Sequence, residues 1–158
     1  MRTYDLDALA AAVAQFTKFV QLNPDFAAST LMIEQWPGRG VRERSEQGGA
    51  VPWREHMVLI APALLYSRDP ASTKLDDVAW AAGEKTRNVL VDGAVRTGDG
   101  HFAYVNYASG GEELDGIYGK ANVERLRELK RVYDPENRFR FYAPLGTVDR
   151  KHEERDEL

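Results

Sequence analysis

Cysteine is absent from this 158-residue chain. That excludes disulfide scaffolds, thiolate metal sites, cysteine nucleophiles and any cofactor tethered through sulfur. Excess positive charge is also missing: 21 Lys+Arg against 25 Asp+Glu gives −4, so no basic field draws in nucleic acid. No apolar run approaches the roughly 20 residues a membrane span needs. Only three histidines are present, His56, His101 and His152, and none stands at metal-ligand spacing from another, so no metal site is expected. Repeats and low-complexity segments are lacking, and no linker is evident before about residue 146.

What is there is ordinary for one globular domain, 43% hydrophobic and 29% charged. A chain of this length can bury about two-thirds of the surface its unfolded form exposes, enough for a core. The opening "MRTYDLDALAAAVAQF" carries early acids and helical periodicity, unlike a signal peptide. The closing "RDEL" is similar to an ER-retention address, but without a signal peptide it is read as part of a charged tail over 146–158. The compartment is left open.

Residues 4–22 read as an amphipathic helix with Leu6, Leu9, Val13, Phe16 and Val20 at three- and four-residue steps, stopped by Asn23-Pro24. "STLMIEQW" (29–36) is rich in strand formers and "PGRG" breaks it. A polar loop over 37–50 leads to "HMVLIAPALLY" (56–66), apolar on both parities, a strand with Pro62 marking a bulge or an edge. Thr73 and Asp76 have capping-box-like spacing before a helix whose apolar stripe includes Leu75, Val78, Ala79, Ala82, Val89 and Leu90. "VDGAVRTGDG" reads as a loop, 101–107 as an alternating strand, and 121–133 as a helix burying Val123, Leu126, Leu129 and Val132. Asp134-Pro135 ends that helix, because a residue before proline resists helical backbone angles. The expected fold is α+β: a small antiparallel sheet of three or four strands with helices packed on one face. So small a sheet has two edges among few strands, which invites pairing with a second copy, another chain or a missing portion of the protein.

The stretch over 101–141 carries the chemistry. If 101–107 is a strand, Phe102, Tyr104 and Asn106 share one face, with the phenol and the carboxamide about 7 Å apart. Two readings stand: a pair that grips a flat polar ring, or a packed tyrosine beside an asparagine that ends the strand. "DPENRF" is equally double. Asn137 either bonds backbone in the turn or offers its amide edge to a heterocycle.

"YVNY" followed by "YGKANVERLRELKRVYDPENRFRF" resembles the closing signature of berberine-bridge-enzyme-like FAD-linked oxidoreductases. Tyr104, Asn106, Tyr107, Tyr118, Gly119, Asn122, Arg125, Leu126, Lys130, Asp134, Pro135, Asn137 and Phe139 fall in its register. Upstream, 29–66 is similar to the family's substrate-domain strands and its "FPHR"-like turn, so the resemblance covers roughly residues 14–145. It implies that residues 1–145 form part of a substrate domain, with 101–141 closing a flavin site. Tyr104 would then be the catalytic base or a support for the ring, and Asn106, Tyr118 and Asn137 would face FAD. A phenol, with an ordinary pKa of about 10, needs help to act as a base. The resemblance implies hydride transfer from a small, secondary-metabolite-type alcohol, amine or activated carbon to flavin, with O₂ as final acceptor. The family's FAD-binding portion, with its phosphate-contacting loops, matches nothing in the chain. Trp53 stands where the family has a histidine, Arg54 is kept, and "YAPLG" replaces the family's closing glutamine segment. Two further readings follow from those departures. One is a cofactor-independent cyclase or isomerase on the same sheet, and the other a non-catalytic subunit pairing with a flavin-binding partner.

Overall fold

The computed structural model describes residues 5–44, 49–100 and 102–146. His101, His152, the "RDEL" end and nearly all of the expected tail lie outside the described residues.

Helix α1 (Leu6–Leu22) starts on Asp5, whose carboxylate accepts from the amide of Ala8 at 2.9 Å. It buries Ala8, Ala12 and Phe16, one residue per turn. The larger apolar residues expected on its inner line are partly outside: Leu6 is 71% exposed and Val13 is also exposed. Small residues win the interface because α1 lies close against α3 (Lys74–Arg96), running antiparallel to it. Asp5 meets Arg96 at 2.8 Å at one end, and Gln15 donates to Thr86 at 3.3 Å further along. Gly93 faces Ala8 between them. Helix α3 therefore continues through residues 91–96, which the sequence presents as a loop. Gly93 is not a breaker there; it is a position where the two helices approach too closely for a side chain, and it is buried.

Strand β1 (Thr30–Gln35) pairs antiparallel with β2 (Val58–Ala63), from Thr30 opposite Ala63 to Gln35 opposite Val58. Between them, in the expected polar loop, lies a single turn of helix, α2 (Arg39–Arg42). A short 3₁₀ turn at Pro24–Phe26 drops Phe26 into the core against Phe19 and Tyr66, ring centroids 5.1 and 5.0 Å away.

The class is α+β, as expected, but the sheet has two strands among the described residues, not three or four. Over 102–107 the chain is not a strand. The amide of Ala103 bonds to the carbonyl of Gly116 at 3.0 Å, and Val105–Tyr107 close a 3₁₀ turn through Tyr107 N–H to Tyr104 O at 2.9 Å. Phe102 anchors the segment, its ring 3.8 Å from Trp53 and 4.5 Å from His56 between centroids. An alternating pattern thus reports one packed, half-buried aromatic followed by a turn.

Helices α4 (Leu114–Tyr118) and α5 (Lys120–Tyr133) follow, separated by Gly119 at φ 79°. On α5, Val123 is buried as expected and Val132 is not, at 71% exposed. No helix among the described residues is long and apolar enough to cross a membrane.

Candidate functional site

An open cleft of about 1390 Å³ lies between β2, one face of α3 and the segment 102–112. Its character follows from the strand and helix periodicities. Strand β1 sends Glu34 and, just past its end, Trp36 to the same side, two residues apart. Helix α3 contributes Trp80, Gly83, Glu84 and Arg87 at three- and four-residue steps. The 3₁₀ turn adds Tyr104 and Tyr107, and the chain beyond α5 returns with Phe141 and Tyr142. Aromatic rings and the aliphatic side chains of β2 and α3 share the apolar surface.

Tyr104 stands at the start of the turn with its ring edge-to-face against Tyr107, centroids 5.6 Å apart. Asn106 donates from Nδ2 to the Tyr104 hydroxyl at 2.9 Å. The two residues expected to act together do meet, through a turn and not across a strand face. Tyr107, which strand alternation would put on the face opposite Tyr104, instead lines the cleft and donates its hydroxyl proton to Glu34 Oε1 at 3.3 Å. The charge on Glu34 pushes the Tyr107 phenol above its usual range.

Of the expected site residues only Tyr104 lines this cleft; Asn106, Tyr118 and Asn137 do not. Asn137 sits in the turn after α5 with φ 51°, and its amide donates to the Asp134 carbonyl at 3.0 Å. Its side chain lies against Gly146, and its Oδ1 is buried without a hydrogen-bond partner. Tyr118, the last residue of α4, is half-buried. Burial pushes the Tyr142 phenol above its usual range, and the charge on Glu112 and then Tyr118 add to it. The Tyr142 hydroxyl lies 2.5 Å from the Val105 carbonyl and 2.6 Å from that of Ala108, its one proton shared between them. That bond ties the returning chain to the turn bearing Tyr104.

Charged groups in the cleft are mostly matched. Arg87 grips Glu84 bidentately at 2.7 and 2.9 Å, which holds its guanidinium above the usual range. Asp76 accepts from Tyr66 at 2.6 Å and pairs with Arg68 at 3.2 Å. Burial disfavours the charge on Glu112, but the amides of Ser109 and Gly110, both at 2.9 Å, outweigh it and hold the carboxyl below its usual range. At the base of the cleft His56 packs against Phe102 with its Nε2 3.6 Å from Asp99 Oδ1, and the Asp99 side chain is only 2% exposed. Trp53 donates from its indole to the Ile117 carbonyl at 3.0 Å, coupling this aromatic floor to α4.

Sequence reasoning missed Glu34, Trp36 and Tyr107. The two-residue period of β1 pairs Glu34 with Trp36 on one face, a signal that was present; nothing local marked the turn that brings Tyr107 to them.

Compared with known proteins, residues 103–145 match the family described as berberine and berberine like. The chain is similar to FAD-linked oxidoreductase anuG of Penicillium roqueforti, 34% identical over 157 residues, covering 92% of this chain and 28% of that protein. It is similar to FAD-linked oxidoreductase OXR1 of Pyricularia oryzae, 33% identical over 147 residues, covering 93% and 29%. It is also similar to FAD-linked oxidoreductase srdI of Neurospora crassa, 31% identical, covering 93% and 29%. The chain thus spans little more than a quarter of the length of the curated relatives it matches. No solved structure matches it.

Proposed function

We propose that this chain, which belongs to the berberine and berberine-like family, forms the substrate-facing wall of a flavin-linked oxidoreductase site that oxidises a small, flat, largely apolar metabolite. Residues 1–145 are the substrate-side unit in this reading, and 101–141 the segment that faces the flavin. The observation that carries it is Tyr104, which lines the cleft and accepts a hydrogen bond from Asn106.

Three side chains are offered to the ring end of the cofactor in this reading, Tyr104 from the cleft and Tyr118 and Asn137 from outside it. Asn137 Oδ1 is a buried acceptor without a donor, which the N–H edge of a flavin ring would satisfy. The phenols of Tyr104 and Tyr118 offer ring faces and hydroxyls. Bound FAD would supply the acceptor for hydride. The work of this chain's own residues is different. The aromatic walls hold a planar substrate. Tyr104, its own proton having first passed to solvent, takes up the substrate proton as a phenolate, and Asn106, donating to the Tyr104 oxygen, stabilises that phenolate until the transfer.

Riboflavin, which presents the ring without the pyrophosphate, tests the cofactor half. Titrated into the purified chain, it should lose fluorescence along a saturable curve. Asn137→Ala should weaken that binding by about tenfold, the worth of one buried hydrogen bond. Quenching that stays linear in protein concentration refutes the reading.

A further inference from the structure

Among the carboxylates of the cleft, Glu34 is matched differently from the rest. Asp76 and Glu84 each face an arginine, and Glu112 accepts from two backbone amides and a hydroxyl. Among the described residues Glu34 has no cation within ion-pair distance; its partner is the neutral Tyr107 hydroxyl, which engages one oxygen. The arginines nearby are already committed. Arg87 is held by Glu84, Arg68 by Asp76, and Arg54 donates to the Arg44 carbonyl at 3.1 Å. Negative charge is therefore uncompensated at this corner. It is bordered by three ring systems that also line the cleft: Trp36, two residues along the strand, and the perpendicular pair Tyr104 and Tyr107.

A carboxylate set among ring faces attracts one class of group from two sides. The carboxylate offers opposite charge, and each ring face offers the negative lobe of its quadrupole to a cation. We propose that this corner is a subsite for a protonated amine, so that the natural ligand is a monocation with an apolar, ring-sized body. Glu34 takes the ammonium, Tyr107 orients the carboxylate, and Tyr104 and Trp36 flank the cation. The body of the ligand then runs along the apolar wall of β2 and α3. This assignment rests on the cleft being the substrate site proposed above, and names the chemistry of its substrate.

The test compares phenethylamine, protonated at neutral pH, with phenethyl alcohol, which has nearly the same size and no charge. Binding is followed on the indole N–H resonance of Trp36. The amine should bind roughly tenfold tighter than the alcohol at low salt. Glu34→Gln should bring the two within about twofold of each other, a loss of that same electrostatic increment. Glu128→Gln makes the same charge change on exposed α5 and should keep the preference. Equal binding of the two probes, a preference that survives Glu34→Gln, or a preference lost equally in Glu128→Gln overturns the proposal. Neither probe needs flavin. A chain that binds phenethylamine selectively and ignores riboflavin would refute the flavin reading and leave the amine subsite standing. The converse result would overturn the subsite alone.

Discussion

Replacing Gly93 by alanine sets two physical effects against each other, and the structure decides their sign. Alanine is the better helix former by about 1 kcal/mol, so α3 taken alone predicts a more stable protein. The α1–α3 interface predicts the reverse. A methyl built on Gly93 overlaps the Cβ of Ala8 and comes within 3.2 Å of the Cβ of Asp5. Both neighbours are branch atoms fixed to the α1 backbone, so no side-chain rotation relieves the clash. Helix α1 must shift, loosening the Asp5–Arg96 pair and the Gln15–Thr86 bond on either side. Overpacking of this kind costs about 1–3 kcal/mol, and rigid neighbours put this site near the top of that span. After the propensity gain the net loss is about 2 kcal/mol. With a urea slope of about 2 kcal/mol/M, the unfolding midpoint should fall by about 1 M in a far-UV circular dichroism titration. Ala8→Gly removes the principal obstacle. In that background Gly93→Ala should cost little, a coupling of about 1–2 kcal/mol between the two sites. A Gly93→Ala protein at least as stable as the parent, or a cycle with no coupling, refutes the close approach of the helices.

Two further outcomes follow from the packing and the charges. Phe26→Ala, at a side chain 1% exposed and wedged between Phe19 and Tyr66, should cost about 3–5 kcal/mol in the same titration, and a loss under about 1 kcal/mol would place Phe26 outside the core. Asp134 is held at a pKa of about 2, down from 3.8, by Lys130 first and then by the amides of Arg138 and Phe139. A depressed carboxyl stabilises the folded state above its unfolded value and loses that contribution as pH falls through the folded one. The Arg138 and Phe139 amide resonances should therefore titrate with a midpoint near 2, and a midpoint at the ordinary 3.8 contradicts the cap.

The fold was legible wherever one element's periodicity sufficed. Helix α1, the two strands and α5 lie within a few residues of their expected places, because their breakers are unambiguous: Asn23-Pro24, the "PGRG" turn and Asp134-Pro135. What was not legible depends on partners distant in sequence. Gly93 reads as a loop residue in a local window and as a helix contact only once Ala8 is opposite it. The large apolar residues Leu6 and Val132 fall on the right period, yet the small-residue face of α1 packs instead, and Val132 extends past the part of α5 that the neighbouring segments cover.

The candidate site shows the same division, with a consequence for what a signature motif encodes. Tyr104 and Asn106 were paired from a two-residue strand period, and they do pair, but through a 3₁₀ turn in which the asparagine amide reaches back to the phenol. In a strand the residue after Asn106 would have turned to the opposite face. In the turn, Tyr107 comes round to the same cleft and meets Glu34 from the sheet. One change of local geometry thus brings a second tyrosine from the opposite face to join the tyrosine and asparagine in one cluster. It also makes the carboxylate on β1 part of that cluster. The conformation is held from outside the motif, by Phe102 stacked on Trp53 at one end and Tyr142 bound to the Val105 and Ala108 carbonyls at the other. The clustered side chains are therefore adjacent in sequence, while the groups that hold them are spread over β1, the 53–56 turn and the chain beyond α5. Local patterning brings the former together and cannot weigh the latter, which is why Tyr104 and Asn106 were expected to pair and Glu34 was not expected beside them.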